Sequence, residues 1–248
     1  MILRGCMASS TRRRLATITE LFAGGESGII LDPRNLGTMW QDVGKTVAVA
    51  SDNDPVRVWE DARGGSFDFV APSDAARPLW RDNAGSSYLE FNGSRELEYT
   101  GTGLNFGEIT LSVRAESTAH SKVIAGFPHA ASHSNPYFRL SLYHIFSGAR
   151  MDTRWNGIAS TSSATLYGSG LSKMVSVAPT TGKIWVDGAV DSSPTPRTPI
   201  TYPNSQGVVI GANATSGERM SGKFYGMVVI DRSIDVDDAA ILNAWNTA

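Results

Sequence analysis

The strongest constraint on the fold is a period-two alternation of apolar and polar residues that recurs in short runs between residues 55 and 232. In "KIWVDG" (183–188) Ile184 and Val186 leave one face of an extended chain while Lys183, Trp185 and Asp187 leave the other. The same pattern runs through "PVRVWED" (55–61), "SFDFV" (66–70), "SYLEFNG" (87–93), "ELEYTG" (96–101), "ITLSVRAE" (109–116) and "KVIAGF" (122–127). It continues in "YFRLSLYHIF" (137–146), "ARMDTRW" (149–155), "KMVSVAP" (173–179), "GVVIG" (207–211) and "GKFYGMVVIDR" (222–232). About a dozen short strands, punctuated by Gly, Asn, Pro and Ser clusters, predict an all-β sandwich or jelly roll of antiparallel sheets rather than a βαβ design. The 25 glycines and 11 prolines supply the turns that such a fold needs.

Two stretches depart from alternation. "DPRNLGTMWQD" (32–42) places Leu36, Met39 and Trp40 at helical spacing after a proline and predicts a short helical turn. "SIDVDDAAILNAW" (233–245) predicts a C-terminal helix, with Asp235 as cap, Asp238 three residues on, and Ile241, Leu242 and Trp245 as its apolar stripe. The four prolines of 191–204 predict a loop or an edge crossing, because each removes an amide from any ladder. Residues 1–20 form a flexible basic arm carrying Arg12, Arg13 and Arg14, and residues 21–248 form one domain.

A net charge of -2 supplies no general attraction to nucleic acid. The single cysteine, Cys6, excludes an intrachain disulfide and a thiolate metal cage. No charged leader with an apolar h-region marks a signal peptide, and no apolar run approaches a bilayer span, so no membrane insertion is expected.

Candidate chemistry is sparse. There is no G-x-S-x-G elbow and no glycine-rich phosphate loop. His129 and His133 are four apart but lie in a Pro-flanked loop rather than on a helix, and His120 and His144 have no evident carboxylate partner. Asp52 and Asp54 in "SDNDP" are the candidate calcium ligands, although Asp and Asn in such clusters commonly bond their own turn. No cofactor is otherwise expected. Glycoside hydrolysis needs two carboxylates flanking one bond. Glu60 and Asp61 point to opposite faces of a strand, Glu96 and Glu98 read as the wet face of another, and Asp235 to Asp238 cap a helix. Asp187-Gly188 is a turn signal rather than an acid. Among six tryptophans, Trp40, Trp59, Trp185 and Trp245 sit in apolar periodic contexts. Trp80 and Trp155 lie beside polar loop residues and are the candidate glycan platforms.

The ordered landmarks Trp59 and Asp61, Arg77 and Pro78, Phe91 to Gly93, Val186 to Gly188, Ile210 and Gly211, and Gly222 to Gly226 span roughly residues 28 to 245. Taken with the capped C-terminal helix, they resemble the laminin G-like, concanavalin A-like jelly-roll modules common in bacteriophage virion proteins. That resemblance implies a sandwich of two antiparallel sheets and a role in carbohydrate binding, adhesion, or capsid decoration and tail-fibre assembly. Related glucanases carry a Glu-x-Asp-x-x-Glu strand that is missing here, so the expectation is a non-enzymatic virion structural protein. Its partners would be copies of itself, capsid or tail subunits and, in a lectin-like alternative, host-surface glycans. Its place would be the virion surface, with Arg12, Arg13 and Arg14 as arm-anchoring candidates.

Overall fold

The structure, a computed structural model, describes residues 18–83, 85–99, 110–117, 122–127, 138–145, 148–155, 158–162, 173–178, 183–192, 208–212 and 219–247. Arg12, Arg13, Arg14, Cys6, His120, His129 and His133 lie outside them, as do the side chains of His144 and Trp155.

The strands are β1 (Gly28–Leu31), β2 (Met39–Trp40), β3 (Val58–Glu60), β4 (Asp68–Val70), β5 (Leu79–Asn83), β6 (Ser86–Asn92), β7 (Leu97–Tyr99) and β8 (Thr110–Ser117). They continue as β9 (Lys122–Phe127), β10 (Phe138–Ile145), β11 (Gly148–Trp155), β12 (Ile158–Ser162), β13 (Lys173–Ala178), β14 (Lys183–Val186), β15 (Ala189–Ser192), β16 (Val208–Ile210) and β17 (Ser221–Ile230). A helix, α1 (Val236–Thr247), follows β17. Among the described residues, eight strands form one sheet in the order β15-β14-β13-β8-β17-β6-β5, with β1 also on β17. Nine form the other, in the order β12-β11-β10-β9-β16-β7-β4-β3-β2. All pairings are antiparallel, giving the jelly-roll sandwich that the alternation predicts.

The inward residues of the two sheets make the main core. Leu111, Val113 and Ala115 of β8, Phe224, Met227 and Val229 of β17 and Leu89 and Phe91 of β6 meet Trp59, Phe69, Leu97 and Ile210 from the opposite sheet. Phe224 is the hub: its ring stands nearly edge-on to Trp59 at 6.1 Å and packs on Phe91 at the same distance.

A second core lies on the outer face of the eight-stranded sheet. There α1 lays Ala239, Leu242 and Trp245 over Ile30, Trp185, Val228 and Ile230. Asp235 Oδ1 accepts the amides of Asp237 and Asp238 at 2.9 Å, and Asp238 Oδ2 accepts the amide of Asp235 at 3.2 Å, a reciprocal cap built as the sequence predicts. Ile18, Leu21 and Phe22 are buried in the same layer. The boundary of the arm is corrected accordingly: the folded unit already includes Ile18, because this layer needs its apolar side chain.

The predicted helical turn at 32–42 is a 3-10 turn over Leu36–Thr38, after which Met39 and Trp40 pass into β2. The burial of Met39 against Trp59 outweighs the local spacing. Asp187 and Gly188 both adopt positive φ, 49° and 83°, the left-handed pair of a tight hairpin turn joining β14 to β15.

Candidate functional site

The long central strand β17 divides the outer face of its sheet. Its first half, Ser221–Phe224, pairs with β6, whereas Met227–Ile230 pairs with β1. At the handover a bulge inserts Tyr225 opposite β8: Phe224 pairs with Ala115 and Gly226 with Arg114. The extra residue keeps Phe224 and Met227 both inward and sends Tyr225 out. Gly226 makes this turn possible, with φ at +139°, and a Cβ there would lie 2.8 Å from the Leu31 carbonyl and 3.1 Å from the Trp245 ring. On one side of the bulge lies the apolar layer under α1. On the other side the sheet's outer face is polar and aromatic.

Three adjacent strands, β8, β17 and β6, build that polar face. Glu116, Lys223 and Glu90 form one cross-strand row, and Arg114, Tyr225 and Tyr88 form the next. The tyrosine rings lie 5.5 Å apart. Lys223 Nζ is 3.1 Å from Glu116 Oε2 and lies over the Tyr88 ring. The Tyr225 hydroxyl donates to the same carboxylate oxygen at 3.2 Å, and the Arg114 guanidinium covers the Tyr225 ring at 4.6 Å. The hydrogen bond to Glu116 raises the Lys223 pKa, and burial raises that of Tyr225, so the ammonium and the neutral phenol are the species present at neutral pH. Burial lowers the Arg114 pKa from its ordinary value, yet a guanidinium stays charged. Lys223 and Glu90 keep 35% and 41% of their side chains exposed, so the charged row is accessible while Tyr88 is nearly covered. The face thus presents ring edges, a phenol, an ammonium, a guanidinium and carboxylates within three strands. That is a set of donors and acceptors suited to hydroxyl-rich ligands.

The residues singled out from sequence take other places. Trp80, expected as an exposed platform, is corrected to a core residue: β5 turns it inward, it is 5% exposed, and its Nε1 donates to the Pro33 carbonyl at 2.8 Å. Trp80→Phe should cost about 1–2 kcal/mol, chiefly the loss of that buried hydrogen bond. It should leave any ligand affinity unchanged, as denaturant unfolding and titration calorimetry on one sample would show. Trp155 lies in β11. Trp185 is buried under α1.

Asp54 Oδ2 accepts the amides of Ala50 and Ser51, both at 2.8 Å, and so serves its own turn, whereas Asp52 Oδ1 accepts the amide of Asp82 at 3.1 Å and ties that turn to β5. Among the described residues no group of three or more His, Cys, Asp or Glu is gathered to hold a metal. Glu96 is buried and pairs with Arg219 at 2.9 Å. Asp61 is buried and accepts the Ile30 amide at 2.8 Å, tying β1 to the end of β3; its burial raises the carboxyl pKa. Glu60 and Asp68 face each other across β3 and β4, and Lys45 Nζ bridges them at 2.7 Å to each. Burial pulls the Glu60 carboxyl up, but Lys45 and the Trp40 indole together hold it below its ordinary value, so Glu60 offers no protonated acid at neutral pH.

The six residues of the polar face were not identified from sequence. Each sits on the polar side of a strand that alternation identifies, but their assembly depends on β8, β17 and β6 being neighbours, which no local pattern encodes.

With this geometry the chain is a concanavalin A-like β-sandwich. No family model and no curated protein sequence matches it. Solved structures share the fold. Domain 4 of an extracellular GH43 arabinanase from Geobacillus stearothermophilus, solved with arabinotriose, is similar at a TM-score of 0.57 and 12% identity, over 74% of this chain and 91% of that one. A Trypanosoma rangeli sialidase gives a TM-score of 0.56 at 13% identity over 90% of this chain, and its structure with the inhibitor DANA gives 0.54 at 12% over 98%. The chain spans 33% and 39% of those sialidase chains. These likenesses correct the expectation of a non-enzymatic protein. That expectation rested on the absence of one glucanase motif, whereas the chains sharing this fold come from an arabinanase and a sialidase. A missing motif from one hydrolase family does not separate this sandwich from carbohydrate-active proteins.

Proposed function

We propose that this domain is a carbohydrate-binding module that holds glycans on the outer face of the β8-β17-β6 strands. The carrying observation is the half-buried Tyr225, its ring against the nearly covered Tyr88 and set among Lys223, Glu116 and Arg114. Aromatic surface takes the C–H faces of a sugar, while flanking charged groups hydrogen-bond its hydroxyls. The arabinotriose bound by the arabinanase domain of like fold supports a glycan as the ligand class. The setting proposed is a bacteriophage particle, on the strength of the ordered landmarks in the sequence. There, copies of the domain repeated with themselves and with capsid or tail subunits would turn weak single contacts into firm attachment.

Glycan-array screening of the 248-residue protein, followed by calorimetry on the best hits, tests the reading. Tyr225→Ala should weaken binding about tenfold, the equivalent of one stacked ring with its hydroxyl. Tyr225→Phe should recover most of the ring's share and so isolate the hydrogen bond to Glu116. Unchanged affinity in Tyr225→Ala would remove this face from the proposal, and a wild-type protein that binds no glycan would end it.

A further inference from the structure

The bulge that turns Tyr225 outward is roofed by α1. A Cβ built at Gly226 would lie 3.1 Å from Cη2, the outer edge of the Trp245 indole, 2.8 Å from the Leu31 carbonyl oxygen and 3.5 Å from Pro33 Cδ. The indole is buried, and its Nε1 has no hydrogen-bond partner among the described residues. No polar contact of its own orients the ring, so packing over Gly226 and the hold of Arg34 set its place. The Arg34 guanidinium lies 5.2 Å from the indole centroid and donates to the Trp245 carbonyl at 2.7 Å. Asp32 grips Arg34 in turn, through Nε at 2.7 Å and Nη2 at 3.0 Å. Arg34 also borders the polar face. Burial is the main cause that lowers the Arg114 pKa and Arg34 adds to it, while Tyr225 and Asp187 act the other way, which sets Arg34 and Arg114 on the two sides of one seam between α1 and the tyrosines. Contacts therefore run without a break from Asp32 through Arg34, Trp245 and Gly226 to Tyr225 and its hydrogen bond to Glu116.

From this we infer that Trp245 is a positioning residue for the polar face: the outer edge of its indole keeps the Gly226 bulge in place and so holds Tyr225 against Glu116, which couples the docking of α1 to binding. A phenylalanine at this position lacks the outer ring that carries Cη2, so it fills the layer under α1 without reaching Gly226. Because Nε1 is unpaired, that change also removes no hydrogen bond. The coupling is reciprocal, so whatever order α1 lends the face, a bound glycan returns to α1. This inference rests on the glycan-binding reading of the same face.

The test has two arms on the full chain, the first without ligand. Followed by NMR on isotope-labelled tyrosine, the Tyr225 phenol should titrate above the ordinary tyrosine value in the wild type, because burial raises it, and should fall back toward that value in Trp245→Phe as the ring loosens. Amide exchange at residues 225–227 should quicken about tenfold in the same variant. Trp185→Phe, the same change to the other indole of that layer, whose Nε1 is also unpaired, should alter neither. In the second arm Trp245→Phe should weaken binding of the first-ranked arrayed glycan about fivefold, and Trp185→Phe should leave it unchanged. Arg34→Lys keeps a cation beside Asp32 but loses the planar cover on the indole, and it should move the Tyr225 titration in the same direction, which gives a second route should Trp245→Phe fold poorly. Unchanged titration and exchange in Trp245→Phe, or equal changes in the two tryptophan variants, overturns the positioning role and leaves glycan binding standing. A wild-type chain that binds no arrayed glycan overturns the glycan reading, while the first arm still decides what holds Tyr225.

Discussion

Replacing Gly226 by alanine is expected to destabilise the domain by about 2–4 kcal/mol and to abolish ligand binding at the polar face, a larger functional loss than removing any one contact residue. The backbone at this position has φ of +139°, which side chains adopt only under strain. The added methyl would also press on the Leu31 carbonyl of β1 and on the Trp245 ring of α1. Neither neighbour can yield easily, since Leu31 is fixed in register with Met227 and Trp245 is buried against the sheet. The cheapest relief is to straighten the bulge. Straightening returns Tyr225 to strict alternation and breaks its approach to Glu116 and Tyr88. Thermal unfolding should show the stability loss, and calorimetry the loss of binding. Amide exchange should show weakened protection around residues 225–227. A stable alanine variant with wild-type affinity would show that the bulge does not position the site.

Asp32→Ala is expected to cost about 3–5 kcal/mol, with a fall in Tm on the order of 10 °C for a chain of this size. The Asp32 carboxylate is 1% exposed and receives Arg34 twice, Nε at 2.7 Å and Nη2 at 3.0 Å, while also capping the Arg34 amide at 3.0 Å. Arg34 in turn donates through Nη1 to the Trp245 carbonyl at 2.7 Å and covers that indole at 5.2 Å. It holds the C-terminal turn of α1, where the helix dipole favours a cation. At the other end Arg232 pairs with Asp238 and Glu26 and bonds the Leu21 carbonyl, so the helix is pinned by an arginine near each terminus. Loss of Asp32 leaves a largely buried guanidinium without its carboxylate and loosens only the C-terminal pin. Trp185 and Trp245, both buried beneath or within α1, should then shift their fluorescence to the red before global unfolding. Combining Asp32→Ala with Arg34→Met should cost less than Asp32→Ala alone, because the uncompensated charge is gone. A single variant as stable as wild type would show that the pair contributes nothing to docking the helix.

Much of the architecture was legible in the chain. Alternation located most strands, Asp187-Gly188 marked a hairpin, and "DVDD" with its apolar stripe marked the capped helix. The landmarks that carry the family resemblance turn out to be joints of the sandwich. Trp59 and Phe91 fill the core, Asp61 ties β1 to the end of β3, and Gly211 leaves room for Phe91, whose ring would lie 2.4 Å from a Cβ.

Period-two patterning failed where it was asked about contact rather than direction. It could not tell that Trp80 faces the inner layer, because the polar residues beside it, Arg81 and Asp82, belong to the other face and to the strand's end. It set Trp185 on the face opposite Ile184 and Val186, and such a face is wet or dry according to whether a helix lies over it. It passed over Tyr88 and Tyr225, which are far apart in the chain and meet only because β6 and β17 are neighbours.

By itself the sequence determined the local terms: which segments are extended, where they turn, how the last helix is capped, and which side of each strand is apolar. These follow from side-chain periodicity and turn chemistry, whose range is a few residues. Tertiary structure alone decided which polar sides become a surface. That choice depends on strand order, on the bulge at Tyr225–Gly226 and on where α1 stops covering the sheet. Each is the outcome of packing across the whole domain, in which burial of Phe224 and Met227 on the inner face dictates where Tyr225 must go.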